Sequence, residues 1–226
     1  MKRTLFTIAM SAMSAFALAA CSHGSASAGT GDGSRHDSPR QGIDIADGRK
    51  GLKSNNSMKN TDKTLVVYFS YTAGNTKRIA EKVSKALGAD IVALEPEVPY
   101  SKDYDKVVEQ GEEEVKSGYR PKLKPLGVNL NDYSRIIVGS PTWWYAPAPV
   151  VMSFLDGHDL HGKTVIPFMT NAGWPGHVIK DMTGAAERNG AKVAKSHEFR
   201  FSASASHRSE MTTPEAELDK WIDSLR

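Results

Sequence analysis

The sequence predicts an α/β domain built on a doubly wound, five-stranded parallel sheet with helices on both faces, and three observations predict it. From residue 63 onward, apolar runs of strand length alternate with amphipathic stretches of helix length. The first run, residues 64–69 (Thr-Leu-Val-Val-Tyr-Phe), does not alternate with polar residues, as expected of a strand covered on both faces. Three strands lead straight into loops of small, hydroxylic and aromatic residues. In such sheets ligands bind at the carboxyl ends of the strands, so these loops are where function is sought.

The 226-residue chain opens on a different kind of segment. Lys2 and Arg3 precede a mainly apolar stretch, residues 5–20, and Leu18-Ala19-Ala20-Cys21 sets small residues before a cysteine. This reads as a bacterial lipoprotein signal peptide over residues 1–20, with Cys21 lipidated as the new N-terminus. Ser22, not Asp, follows the cysteine. The expectation is a lipid-anchored protein of the cell envelope facing the periplasm; the residue after the cysteine resembles that of outer-membrane-directed lipoproteins, and the sequence leaves inner and outer membrane both open. Cys21 is the single cysteine, so one chain forms neither a disulfide nor a cysteine metal site. Residues 21–62 are dominated by small and polar side chains that bury too little apolar surface to order themselves, and read as a flexible tether. Gly29-Thr30-Gly31-Asp32-Gly33 within it follows no strand and opens no helix, so it is linker rather than nucleotide loop. Residues 1–62 hold 8 Lys+Arg against 5 Asp+Glu, and residues 63–226 hold 21 of each. The domain is neutral, which argues against a nucleic-acid partner.

The domain, residues 63–226, divides readily. Strand 64–69 is followed by a helix over 76–87 with Ile79, Ala80, Val83, Ala86 and Leu87 on one face. A second strand spans 90–94. A helix over 101–118 aligns Tyr104, Val107, Val108 and Val115 and leaves Glu112, Glu113 and Glu114 to solvent, with Gly118 and Pro121 ending it. The third strand spans 135–138, a helix 150–155, the fourth strand 164–169, and a further helix 177–188. Residues 191–201 alternate, with Val193, Phe199 and Phe201 on one side and Lys192, Glu198 and Arg200 on the other, as in a half-exposed edge strand. In the last helix Thr213 caps, Pro214 takes the first turn, and Leu218, Trp221, Ile222 and Leu225 form the stripe.

After the first strand comes Ser70-Tyr71-Thr72-Ala73-Gly74-Asn75-Thr76-Lys77, running into a helix N-terminus. Unpaired backbone N–H groups and the helix dipole favour an anion there, and Ser70, Thr72 and Thr76 add hydroxyl donors. The triphosphate-loop spacing is absent. After the third strand, Pro141-Thr142 leads into three consecutive aromatics, Trp143, Trp144 and Tyr145, of which at least one ring should face the crevice and stack on a flat ligand. After the fourth come Thr170, Asn171, Ala172, Gly173 and Trp174. Together the three loops fit a flat, phosphorylated ligand. Asp156, His158, Asp159 and His161 cluster at the opposite end of the sheet and read as solvated polar residues. No Gly-x-Ser-x-Gly elbow supports a hydrolase.

Residues 63–226 resemble a flavodoxin, of the branch carrying a Tyr-Phe-Ser…Gly-Asn-Thr loop, here Tyr68-Phe69-Ser70 through Gly74-Asn75-Thr76. The resemblance implies strand order 2-1-3-4-5 and bound FMN, with phosphate at residues 70–76, ring beside Trp143 or Trp144, and polar ring edge against residues 170–174. Its Pro-Thr-Trp position makes Trp143 the better match for the stacking residue. The loop departs from the family by one extra residue, Ala73, and the domain by its neutrality. No catalytic dyad is visible. The resemblance implies electron transfer at the envelope between redox partners that the sequence does not name. An FMN-dependent oxidoreductase using a nicotinamide donor and quinone-like acceptors, and a non-redox ligand- or protein-binding module, are the alternatives.

Overall fold

β1 (Thr64–Tyr68) is buried along its whole length, the physical reason a run without polar alternation forms a strand here. The computed structural model describes residues 63–226. Residues 1–62, where a signal peptide, a lipidated Cys21 and a tether are expected, lie outside the described residues.

Behind β1 follow α1 (Asn75–Leu87), β2 (Asp90–Ala93), α2 (Tyr104–Ser117) and a single 3-10 turn (Leu130–Asp132). Then come β3 (Arg135–Trp143), β4 (Ala146–Pro147), α3 (Pro149–Gly157), β5 (Thr164–Asn171) and α4 (Val178–Arg188). The chain closes with β6 (Lys192–Val193), β7 (His197–Arg200) and α5 (Glu215–Ser224). The sheet runs β2-β1-β3-β5-β6, with β7 also on β5, and every pairing except the β3–β4 hairpin is parallel. Counting the main strands alone, this is the expected order 2-1-3-4-5.

Two features change the expected five strands. The fifth is split: β6 pairs with Thr164 and Val165, β7 with Phe168 through Asn171. Between them Lys195 adopts a φ of 52°, and its carbonyl accepts the Trp221 indole N–H at 2.6 Å. The alternating pattern spans this interruption and so conceals it. The third strand runs five residues further than expected, because Ser140 and Pro141 continue the ladder opposite Met169 and Thr170. The chain then turns back through β4, pairing Thr142 with Pro147 and Trp143 with Ala146.

The core lies on both faces of the sheet. Leu65, Val67, Ile136 and Val138 face α2, α3 and α4, where they meet Val107, Phe154 and Met182. Val66, Ile137, Ile166 and Phe168 face α1 and α5, against Ile79, Val83, Leu218 and Trp221. Each side chain so buried contributes about 1.5–3 kcal/mol, before the entropy of ordering it is set against that gain. Two expectations about helix surfaces are corrected. Glu114 is buried, not solvated: it lies seven residues beyond Val107 on the same face, and accepts from Tyr100 Oη at 2.6 Å and Gln110 Nε2 at 2.7 Å. Thr213 does not cap α5, because its hydroxyl accepts the Arg200 amide at 2.8 Å.

The strand order reverses between β1 and β3, since the chain goes outward from β1 to β2 and then crosses back. A crevice opens at the carboxyl ends of such a pair.

Candidate functional site

A cleft of about 440 Å³ occupies that position, a volume within the usual range of small-molecule sites. The loop after β1 contributes Ser70, Tyr71, Thr72, Ala73, Asn75 and Thr76. Pro141, Thr142, Trp143 and Trp144 come from β3 and its turn, and Thr170, Asn171, Ala172 and Trp174 from β5 and beyond. Three expected residues, Gly74, Tyr145 and Gly173, do not line the cleft and instead shape its backbone. Gly173 donates its N–H to Asn171 Oδ1 at 2.7 Å, closing the turn at the end of β5.

The first loop is built around the N-terminus of α1. Gly74, with φ of 73°, stands at the cap position, no side chain caps the helix, and no acidic residue sits in its first turn. Its leading N–H groups and positive dipole end therefore remain available to an anion. Thr72, at φ 44°, precedes Ala73 in a turn where the Gly74 N–H donates to the Tyr71 carbonyl. Thr76 is buried and its hydroxyl is 2.8 Å from that of Thr170, which fastens the loop to β5.

Three polar atoms of the cleft residues are buried without a hydrogen-bond partner: Ser70 Oγ, Asn75 Oδ1 and Thr142 Oγ1. Such groups are rare in folded proteins, and each costs about 1–3 kcal/mol. Three around one cleft form a donor and acceptor set for a polar ligand.

The opposite wall is aromatic. Trp143 packs edge-on to Phe69, Tyr71 and Tyr100, with ring centroids 5.6, 6.1 and 5.0 Å away. Its indole also lies on Gly111, where an added Cβ would stand 3.0 Å from the ring. Burial, and then the bond to Glu114, push the Tyr100 phenol well above its usual range, so it stays protonated and holds the carboxylate behind Trp143. Trp144 and Tyr145 form the two-residue hairpin turn with φ of 49° and 64°. That is a type I′ turn, normally built from Asn-Gly, and side chains in left-handed geometry cost about 1–2 kcal/mol per residue. Neighbours hold it in place. The Tyr145 carbonyl accepts the His177 amide at 2.8 Å, and Gly176 lies so near that a Cβ there would be 2.0 Å from that oxygen. Because the turn begins at Trp144, both tryptophans line the cleft, contrary to the opposite orientations of an extended segment. Trp144 is half-exposed and its indole N–H donates to the Val108 carbonyl at 3.0 Å.

Sequence reasoning missed two contributors. α2 supplies Tyr104, Val107, Val108 and Gly111, and the segment after β7 supplies Ser202, Ala203 and Arg208. The apolar stripe of α2 is visible in the sequence, but nothing in it separates the residues that reach the cleft from those of the core. Nothing in the Ser-Ala-Ser-Ala-Ser-His run before Arg208 marks it as part of a site. At the far end of the sheet, His161 bonds Asp159 and Asp156 pairs with Arg120 and Arg188. Among the described residues no group of three His, Cys, Asp or Glu is arranged to hold a metal, and no helix is long and apolar enough to cross a membrane.

The family model described as Flavodoxin matches residues 63–194, ending before the segment that carries Arg208. A candidate flavoprotein from Bacteroides eggerthii is 28% identical and superposes with a TM-score of 0.57 over 72% of this chain and 96% of its own. Another from Bacteroides uniformis is 26% identical, with a TM-score of 0.58 over 71% and 97%. A flavoprotein from Lactobacillus acidophilus, solved in complex with FMN, is 24% identical, with a TM-score of 0.55 over 71% and 98%, and shares the fold. No curated protein matches the chain.

Proposed function

Because this chain belongs to the flavodoxin family, we propose that its cleft binds FMN and that the domain transfers electrons at the cell envelope. The single observation that carries the reading is one cleft whose lining joins Ser70, Asn75 and Thr142, each with a buried polar atom lacking a partner among the described residues, to the aromatic rings of Trp143 and Trp144. FMN has the parts this arrangement calls for: a phosphate, a hydroxylated chain and a flat ring. The N-terminus of α1 and Ser70 would hold the phosphate, and the acceptor oxygen of Asn75 suits a ligand hydroxyl. Trp143 and Trp144 would cover the ring and exclude water from it, while residues 170–174 face its polar edge. When bound, FMN supplies the capacity to take up and release electrons. The chain's own part is to bind, orient and shield. Electron transfer needs no acid–base dyad.

The envelope location rests on Leu18-Ala19-Ala20-Cys21 and the tether that follows. The balanced charge of residues 63–226 favours a second reading, an FMN-dependent oxidoreductase acting on small quinone-like acceptors. A shuttle that docks basic partners gains from an acidic surface, and this domain has no such excess. Mixing the FMN-loaded full chain with a nicotinamide donor and a quinone decides between them. A carrier gives no sustained nicotinamide oxidation, and catalytic turnover replaces the first reading with the second.

A further inference from the structure

We propose that Arg208 is the residue by which this cleft selects a phosphorylated ligand, placing the one cation among the cleft's described lining residues against the phosphate group. The inference rests on the reading of the cleft as an FMN site. Among the described residues that line it, Arg208 alone carries charge, and none is a carboxylate. Unlike Arg78, Arg120, Arg188, Arg200 and Arg226, Arg208 has no carboxylate partner among the described residues. No carboxylate among the described residues therefore neutralises its charge. A guanidinium presents a planar fork of donors that matches two phosphate oxygens.

The surrounding contacts hold the backbone of Arg208 beside the first turn of α1 and its guanidinium over α2. Residues 202–210 leave the sheet as a strap, closed at its base by the Ser202 amide donating to the Glu210 carbonyl at 2.8 Å. The strap is pinned to the first turn of α1 at two points. Asn75 Nδ2 donates to the Arg208 carbonyl at 2.9 Å, and Arg78 Nη1 to the Ser209 carbonyl at 3.2 Å. From the other side Tyr104 of α2 lies under the guanidinium, whose carbon is 5.1 Å from the ring centroid, a cation–π contact that fixes its direction. Asn75 thus belongs to both parts. Its amide nitrogen holds the strap while its buried oxygen has no partner. The strap is thus bound to the helix N-terminus, and the N-terminus and Arg208, both of which favour negative charge, belong to the same cleft.

The test is a titration of the full-length apoprotein with FMN and with riboflavin, which differ only in the phosphate, followed by flavin fluorescence at low and high salt. Arg208→Gln should weaken FMN by about tenfold or more, the size expected for a charge-assisted bond, and leave riboflavin unchanged. It should also flatten the salt dependence of FMN binding. Arg208→Lys should recover part of the loss, and Tyr104→Leu, which removes the ring and keeps the charge, should lose less than Arg208→Gln. Inorganic phosphate should compete with FMN for the wild-type protein more effectively than for Arg208→Gln. If Arg208→Gln binds FMN as tightly as the wild type does, or loses both flavins equally, the inference is overturned while the FMN reading stands. A wild-type protein that takes neither flavin overturns the reading of the cleft and this inference with it.

Discussion

Ser70 carries a hydroxyl that the fold buries and leaves without a partner, and its removal separates binding from stability. In the absence of ligand, Ser70→Ala takes away an unsatisfied polar group, so the apoprotein should be as stable as wild type or about 1 kcal/mol more so. With FMN the sign reverses, because a bond to a charged group is worth about 1.5–3 kcal/mol, and affinity should fall about tenfold or more. Thermal unfolding of the apoprotein alongside FMN titration checks both halves, and a destabilised apoprotein would show that the hydroxyl serves the fold. The hairpin turn gives a second pair of opposed effects. Tyr145 does not line the cleft and holds a φ of 64°, so Tyr145→Gly should stabilise by about 0.5–1 kcal/mol and leave FMN affinity alone. Trp144→Gly relieves similar strain but loses the bond to Val108, so stability should change little while FMN binding weakens. Lower stability in Tyr145→Gly would contradict the account of the turn.

Between elements, α1 and α5 are joined by charge as well as by the core. Glu215 accepts from Arg78 Nη2 at 2.6 Å and Lys82 Nζ at 2.7 Å, and Lys82 also reaches Asp219 at 2.8 Å. The Lys82 bond, assisted by Arg78 and opposed by desolvation, holds the Glu215 carboxyl below its usual value. A carboxylate whose folded pKa is depressed contributes stability above its unfolded pKa and loses it as pH falls through the folded value. Glu215→Gln should therefore cost under about 1 kcal/mol at neutral pH, less in high salt, and nothing once the pH falls below the folded carboxylate value. Thermal unfolding followed as the pH falls from 7 until the folded carboxylate is protonated reads this, and a penalty that persists beyond that point would assign Glu215 a packing role instead. At this scale the sequence was legible wherever one physical signal dominated. The unbroken run of β1 and the stripes of α1 and α5 follow directly from burial, and most of the cleft was found from the strand-end loops. The extension of β3 was hidden because Pro141 reads as a stop, and because Trp144-Tyr145 carries neither the glycine nor the asparagine of a type I′ turn. Glu114 and Arg208 were hidden for a related reason. Their roles depend on which distant element comes to meet them, Tyr100 in one case and the first turn of α1 in the other.

For the whole molecule, the domain is balanced in charge and the excess of basic residues lies in residues 1–62. The proposed anchor is tested at Cys21. Cys21→Ser should release the protein from the membrane fraction while leaving the domain's FMN affinity intact, and equal membrane association of the two proteins would remove the anchor from the account. The central claim is that the cleft at the ends of β1, β3 and β5 is an FMN site. The absorption spectrum of the purified full-length protein, incubated with FMN and freed of unbound flavin, tests it most directly. The predicted result is a retained flavin spectrum, equimolar with the chain, and the same ligand released intact on denaturation. A colourless protein that takes up no FMN would contradict the claim.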